Sequence, residues 1–207
     1  MIAVVMVMAM LCGCGGDIAN DKAPTQTQAA QKATPTPVPT LDTSLLENKI
    51  NTEIKFTNGD VIKAELYPDL APITVANFVK LADEHFYDGL IFHRVIEGFM
   101  IQGGGMDANM QQKQTESIKG EFNDNGVVNM LSHKRGVLSM ARTSVKDSAS
   151  SQFFIVQQDS VYLDGQYAAF GAVTEGMDVV DKIAAVQTDA NDAPLEPVVI
   201  ESIAIIR

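Results

Sequence analysis

The sequence predicts a mainly β fold, a closed antiparallel barrel with two helices covering its ends. Three observations lead to this prediction. Short strand-like runs dominate the chain beyond Leu45, and they are separated by Gly, Asn, Asp and Ser. Two helical patterns are interspersed among them. The connections are too short for repeated βαβ crossovers, so neighbouring strands run antiparallel, and closure of the sheet removes its exposed edges.

The first two strands are predicted to form a hairpin around Asn58 and Gly59. Their apolar rows are Ile50, Thr52, Ile54 and Phe56, followed by Ile62, Ala64 and Leu66. A two-residue loop would pair Phe56 with Val61 and place the rows on opposite faces, whereas a three-residue loop would pair Phe56 with Ile62 and align them. We therefore expect the three-residue loop, with Gly59 at the positive φ.

Two helices and five further strands follow. Pro72 suits a first helical turn, and apolar residues recur at helical spacing to about Glu84. A second helix is predicted from Met177 to Val186. The strand-like runs are Leu90–Ile96, Gly136–Met140, Phe153–Gln157, Ala168–Val173 and Val198–Ile206. Gly103 to Gly105 are expected to form a turn with a crowded backbone, because the Lys-Ser/Thr of a phosphate-binding loop does not follow.

Composition excludes several function classes. The chain has 207 residues, 46% of them hydrophobic and 20% charged, which is typical of one globular domain. The formal net charge of -11 is unfavourable for a nucleic-acid partner. The spacing of His85, His93 and His133 fits no metal signature. No G-x-S-x-G nucleophile elbow is present, which argues against a hydrolase. We expect no metal and no nucleic acid, and we interpret His93 as structural.

Both cysteines lie near the N-terminus, directly after the apolar run from Ile2 to Leu11. This run is too short to span a bilayer and is typical of a secretory signal. Leu11-Cys12-Gly13-Cys14 resembles the bacterial lipoprotein cleavage signal, in which the residue after the cut receives lipid. Residues 1–14 are therefore interpreted as a signal peptide ending at the lipid acceptor Cys14. A disulfide and a CxC metal site are the alternatives.

Residues 15–44 are rich in Thr, Gln, Ala and Pro and show no apolar periodicity. They are predicted to be a disordered tether whose proline-rich end, Thr34 to Thr40, is a stiff extended spacer. A proline-rich recognition motif is the alternative. The tether would hold the folded domain, residues 45–207, off a membrane surface.

Four separated segments carry a family resemblance. They are Phe92 to Gly104, Gly136 to Ala141, Ser151 to Ile155, and Tyr162 to Tyr167 followed by Phe170-Gly171. In this order and with these intervals they resemble the signature of cyclophilins, and the resemblance spans about Asn48 to Arg207. It implies an eight-stranded barrel and peptidyl-prolyl cis-trans isomerase activity on proline-containing polypeptides.

The chemistry of that reaction suggests a role for Arg94. Rotation about an Xaa-Pro bond meets a barrier of about 18 to 20 kcal/mol because the twisted amide loses its resonance. No bond breaks, so no nucleophile, metal or other cofactor is needed, and the catalyst has to bind the twisted amide better than the planar forms. Arg94 fits a cationic donor to the prolyl nitrogen. A salt bridge at the surface or the barrel end is the alternative for this side chain.

The resemblance also implies substrate contacts. Phe99, Met100, Phe154 and Leu163 resemble the family's pocket wall, Gln102 and Gln152 its polar contacts, and Ala141, Arg142 and Thr143 its peptide-binding strand. Tyr162 and Tyr167 border the pocket where familiar eukaryotic members have tryptophan and histidine, and Arg142 stands in place of an asparagine. Core packing is the alternative for the apolar members, and it is the expected role of Phe92 and Phe153.

Together these features predict a lipid-anchored isomerase in a bacterial cell envelope. Its domain would face the extracytoplasmic side and act, as a monomer, on unfolded or exported polypeptides, whose prolines isomerise in about 10 to 100 s unaided. The rival hypothesis is a cyclophilin-like module that binds proline-containing loops without useful turnover.

Overall fold

The computed structural model describes Thr43 and residues 46–207. The strands are β1 (Ile50–Phe56), β2 (Val61–Leu66), β3 (Leu90–Ile96), β4 (Met100–Asp107), β5 (Val137–Met140), β6 (Phe153–Val156), β7 (Ala169–Glu175) and β8 (Val198–Ile206). They close into a barrel in the order β1-β2-β7-β5-β6-β4-β3-β8, and every neighbouring pair is antiparallel. The predicted fold class is confirmed. The predicted signal peptide, Cys14 and the tether apart from Thr43 lie outside the described residues.

The first hairpin has the predicted loop length but a different register. Its loop is Thr57-Asn58-Gly59, because the Phe56 N–H donates to the Asp60 carbonyl at 3.0 Å and Ile54 lies opposite Ile62. The predicted pairing of Phe56 with Ile62 is therefore wrong by two residues. A shift of two keeps the same faces together, so the apolar rows still align. Gly59 has the expected positive φ, at 88°.

Two helices accompany the barrel, α1 (Pro72–Asp83) and α2 (Met177–Ala184), each ending one or two residues before its predicted limit. Pro72 occupies the first turn of α1, as predicted. The buried carboxylate of Glu121 accepts hydrogen bonds from the N–H groups of Ile73 and Thr74, at 3.0 and 2.7 Å. These are donors that a helix start leaves without an intrahelical partner, and an anion there is favoured by the helix dipole.

The central strand β4 was not among the strand-like runs, and the predicted turn at Gly103 to Gly105 is wrong. These glycines lie within β4. The backbone of these glycines is nevertheless crowded by its neighbours, as the sequence predicted. A Cβ at Gly103 would lie 3.0 Å from the Ile91 carbonyl oxygen, and one at Gly104 would lie 3.0 Å from the Phe153 ring. Neighbouring groups occupy the space that larger side chains would need, so glycine replaces the apolar residues that a strand pattern would show.

Side chains of the barrel form two apolar layers because successive residues of a strand point to opposite faces. Ile101, Phe153 and Ile155 belong to the interior core, which also contains the buried apolar side chains of α1 and α2. Met100, Phe154 and Val156, at the alternate positions, belong to a second cluster with Leu163 and Ala169. This second cluster lies on the outer face of the sheet. Phe92 and Phe153 are fully buried in the interior core, as expected.

No helix within residues 46–207 is both long enough and apolar enough to cross a lipid bilayer.

The crowding at β4 predicts a stability difference between two glycine substitutions. Gly104 and Gly59 both have positive φ, at 80° and 88°, but a Cβ at Gly59 would meet nothing within 4 Å. Gly104→Ala should lower the free energy of unfolding by about 3 kcal/mol, since backbone strain and overpacking add. Gly59→Ala should lower it by about 1 kcal/mol from strain alone. Urea unfolding of both variants checks this, and equal losses would contradict the crowding.

Candidate active site

A β-bulge in β3 directs Arg94 to the outer face. Phe92 lies opposite Gly103, whereas Arg94 lies opposite Gln102, so β3 contains one extra residue, His93, at this point. The bulge lets both Phe92 and Val95 point inward, where they are 0% and 2% exposed. Arg94, between them, is exposed. Bulges commonly redirect a side chain beside an active site in this way.

Strands β4 and β6 supply the floor and one polar edge of the site. Met100 and Phe154 are buried in the outer apolar cluster. Gln102, opposite both Arg94 and Phe154 in the sheet, donates through Nε2 to the Gln152 Oε1 at 2.9 Å. Strand pairing therefore places Arg94, Gln102 and Phe154 side by side, and Gln152 directly precedes β6.

The segment after β5 forms the opposite edge. The Ala141 N–H donates to the Gln152 carbonyl at 2.9 Å. The Arg142 Nε donates to the Gln166 carbonyl at 2.9 Å, and its guanidinium lies 4.7 Å from the centre of the Tyr167 ring. Arg142 thus clamps the segment that carries Tyr167. The Thr143 N–H donates to the Ser148 hydroxyl, so its own loop holds this residue.

A short 3₁₀ helix, Val161–Leu163, closes the apolar end of the site. Leu163 is buried in the outer cluster. Tyr162 is 59% exposed, and its ring centre lies 5.9 Å from that of Phe99 at the rim. The Tyr167 ring packs edge-on against Phe154 with centres 5.9 Å apart. Aromatic faces therefore surround an open apolar depression.

Two cavities share a wall at this place. The first has a volume of about 260 Å³ and is lined by Arg94, Phe99, Met100, Gln102, Ala141, Arg142, Phe154, Leu163 and Tyr167. The second has about 180 Å³ and is lined by Gln102, Gln112, Ala141, Arg142, Thr143, Ser148, Ser150 and Gln152. The structure thus brings together all the substrate contacts expected from the sequence, with Tyr162 at the rim. Gln112, Ser148 and Ser150 belong to none of the four motif segments, so the sequence did not predict that they line a cavity.

A buried polar cluster lies behind the aromatic wall. The His133 ring is 1% exposed, its Nδ1 lies 2.8 Å from the Asp164 carboxylate, and its Nε2 lies 2.9 Å from the Ser139 hydroxyl. A neutral ring with its proton on Nδ1 satisfies both contacts. The ring stacks on Phe154 with centres 6.0 Å apart and meets Tyr167 edge-on. The cluster therefore fixes the two rings of the pocket wall.

The carboxyl of Asp164 is the charged member of this cluster. Burial opposes its ionisation, but hydrogen bonds from the His133 ring, the Ser132 hydroxyl and the His133 N–H outweigh burial and lower the pKa of Asp164. No spacing in the sequence pointed to this cluster, because Asp164 lies 31 residues after His133.

Among the residues that the structure describes, Arg94 has one ionic contact. Its Nε lies 3.4 Å from the Asp192 carboxylate, and both side chains are 44% exposed. The salt bridge considered as an alternative role for Arg94 is thus present beside the cavity that Arg94 lines. Burial and the positive charge of Arg94 lower the pKa of the adjacent His93, which favours the neutral form of its ring.

These residues can recognise an apolar ring flanked by peptide groups and offer it a cationic hydrogen-bond donor. Within the part of the chain that the structure describes, no cluster of three or more His, Cys, Asp or Glu side chains could hold a metal ion.

Comparison with known families gives one extensive match. Residues 49–205 match the family model described as cyclophilin type peptidyl-prolyl cis-trans isomerase/CLD. The chain is 48% identical over 161 residues to peptidyl-prolyl cis-trans isomerase A of Dickeya dadantii, covering 73% of this chain and 82% of that protein. It is 45% identical over 161 residues to peptidyl-prolyl cis-trans isomerase B of Escherichia coli, covering 72% and 94%.

Solved structures agree with the sequence matches. A cyclophilin-type peptidyl-prolyl cis-trans isomerase of Cryptosporidium parvum superposes with a TM-score of 0.66 at 26% identity, covering 77% of this chain and 99% of the other. A second structure of that isomerase, in the presence of the dipeptide Ala-Pro, gives a TM-score of 0.65 at 28% identity, with coverage of 76% and 99%.

The buried cluster predicts a pH-dependent loss of stability in Asp164→Asn. Because the folded state lowers the pKa of Asp164 below its ordinary 3.8, the stabilisation is present above about pH 4 and is lost as pH falls through the folded-state pKa. Removing charged hydrogen bonds at a largely buried site should cost about 2 kcal/mol at pH 7. Urea unfolding is measured at intervals of about one pH unit from pH 3 to pH 7. The difference in unfolding free energy between Asp164→Asn and wild type should shrink toward the acidic end.

Asp181→Asn is the matched control. Hydrogen bonds from Arg135 and Gln157 lower the pKa of Asp181 to about 2, but its side chain is 43% exposed. Solvent screening limits such a surface pair to less than about 1 kcal/mol. A loss in Asp164→Asn no larger than in Asp181→Asn would contradict a stabilising role of the buried cluster.

Proposed function

The chain belongs to the cyclophilin family of peptidyl-prolyl cis-trans isomerases and is an enzyme of that class, and we propose that it acts on exported polypeptides with Arg94 as the transition-state donor. Cyclophilins bind proline-containing peptides. The observation that carries the assignment of Arg94 is its position at the edge of an apolar cavity of about 260 Å³ whose floor is Met100 and Phe154. The other cation that lines this cavity, Arg142, donates to the carbonyls of Gln166 and Thr143.

The apolar cavity is the part of the site that would hold the prolyl ring. Phe99, Met100, Phe154 and Leu163 all line it. Burial of the ring between them anchors one side of the amide that has to rotate. The Ala-Pro dipeptide used with the related isomerase of Cryptosporidium parvum supports a proline-centred ligand.

The polar edge would hold the residues before proline. Gln102 and Gln152 are already hydrogen-bonded to each other, and both face the second cavity. Ala141, Arg142 and Thr143 line the same cavity. An extended peptide can therefore be fixed on one side of the prolyl bond by hydrogen bonds and on the other by apolar contact.

Arg94 would lower the barrier itself. The prolyl nitrogen becomes a hydrogen-bond acceptor only when the amide is twisted, so a donor at this atom binds the transition state better than either planar state. A charged hydrogen bond worth about 1.5 to 3 kcal/mol in that state gives about ten- to a hundredfold in rate.

This mechanism predicts the effect of removing Arg94. Arg94→Ala should lower kcat/KM for an Ala-Pro peptide by about ten- to a hundredfold, because the twisted amide loses its donor. The rate is measured by NMR exchange or by a protease-coupled assay. Arg135→Ala is the control, since Arg135 pairs with Asp181 and does not line the cavity, and its activity should stay at the wild-type level.

The same assay decides between an enzyme with this mechanism and the rival, a module that binds proline loops without useful turnover. Wild-type protein that binds the peptide but does not accelerate its exchange would favour the rival. An undiminished rate in Arg94→Ala would leave the isomerase assignment intact and overturn the role of Arg94.

We further propose that the enzyme is lipid-anchored through Cys14 on the extracytoplasmic side of a bacterial membrane. The support is the short apolar run that ends at Leu11-Cys12-Gly13-Cys14 and the proline-rich segment after it. A tether of this composition gives a monomeric domain access to polypeptides that emerge unfolded at the membrane.

The anchor predicts different behaviour for the two cysteines. Cys14→Ser should move the protein from the membrane fraction to the soluble fraction of cells, because the thiol that receives lipid is lost. Cys12→Ser should remain with membranes. Immunoblots of the separated fractions measure both, and a Cys14→Ser protein that stays with membranes would contradict the anchor.

A further inference from the structure

We propose that Asp192 is a positioning residue for Arg94, a role that rests on the proposed function of Arg94 in the same site. Asp192 lies in the loop between α2 and β8, 98 residues away from Arg94 in the chain. Among residues 46–207, its carboxylate is the single ion-pair partner of the Arg94 side chain, with Nε and Oδ2 3.4 Å apart.

The loop that carries Asp192 is fixed by its own hydrogen bonds. Asp189 accepts through Oδ1 from the N–H groups of Asn191 and Ala193, at 2.8 and 3.0 Å. The Asp189 N–H donates to the Ala193 carbonyl at 2.8 Å, and Thr188 bridges Pro194. Asp192 therefore stands at the tip of a small, internally bonded turn.

The turn is also joined to the strand that carries Arg94. The Val95 N–H donates to the Asp192 carbonyl at 2.8 Å. Val95 directly follows Arg94 and is buried in the interior core. The backbone of Asp192 is thus bonded to β3 next to the bulge, and its carboxylate is held beside the guanidinium without depending on the ion pair.

The backbone conformation of Asp192 is unusual for a non-glycine residue, with φ at 63°. Glycine would fit this position without strain, whereas aspartate and asparagine tolerate it. A non-glycine residue in this region is often retained at functional sites for its side chain. Here that side chain reaches Arg94.

The Asp192 carboxylate contacts Arg94 at Nε, and the two terminal nitrogens stay available. A guanidinium has five N–H donors, so a single bond at Nε fixes the direction of the planar group and leaves the four N–H groups of Nη1 and Nη2 for a ligand. Asp192 therefore orients the donor without occupying the part of it that would face the prolyl nitrogen.

The size of the expected effect follows from exposure and distance. Both side chains are 44% exposed, and 3.4 Å is long for a charged hydrogen bond. Solvent screens such pairs, so loss of the orientation should reduce turnover by about two- to fivefold and should not abolish it.

The test compares two substitutions that the positive φ tolerates. Asp192→Gly removes the carboxylate, and Asp192→Asn keeps an oxygen acceptor for Nε but removes the charge. Glu201→Gln is the control, because the Lys55–Glu201 pair is similarly exposed, at 45% and 46%, and lies outside both cavities. Each substitution is made in the full chain, in the wild-type background and in Arg94→Ala, and kcat and KM are measured on an Ala-Pro peptide.

We expect Asp192→Gly to lower kcat by about two- to fivefold with KM unchanged, Asp192→Asn to lie between it and wild type, and Glu201→Gln to match wild type. In the Arg94→Ala background Asp192→Gly should have no further effect. Unchanged kcat in Asp192→Gly, or the same loss in both backgrounds, overturns the role of Asp192. The wild-type and Arg94→Ala rates test the proposed function separately.

Discussion

The alternation of side chains across the pleated sheet decides where a binding site can form on this barrel. Because side chains fill the interior of the closed barrel, one face of each strand is committed to the core, and the candidate site lies on the other face. Strict alternation would point Phe92 and Arg94 to one face of the sheet and Val95 to the other. The single extra residue in β3 resolves this, since it allows two inward apolar residues to flank one outward cation.

The same constraint explains why a glycine-rich segment lies in the middle of the sheet. Interior aromatic rings and the backbone of β3 occupy the volume beside Gly103 and Gly104. Small residues there allow β4 to lie between β3 and β6, and this brings Arg94, Gln102 and Phe154 into neighbouring registers. The arrangement of the candidate active site is thus a consequence of the close packing beneath it.

Much of this arrangement could be predicted from the sequence, because periodicity and motif residues carry the information locally. Pro72 and the apolar spacing after it predicted α1, and the four motif segments predicted the residues around the cavity. Strand β4 was missed because crowding of a backbone by distant rings leaves no periodic signal. His133 and Asp192 acquire their roles from contacts with Asp164 and Arg94, and no rule of spacing relates such distant residues.

In the proposed mechanism, the guanidinium of Arg94 acts on the twisted amide and contributes little to binding the planar peptide. The most direct test measures two quantities for Arg94→Lys and wild type, namely the affinity for an Ala-Pro peptide and its exchange rate when saturated with enzyme. We expect the affinity to change by less than about threefold and the saturated exchange rate to fall by about tenfold or more. A fall in affinity with an unchanged saturated rate would contradict it.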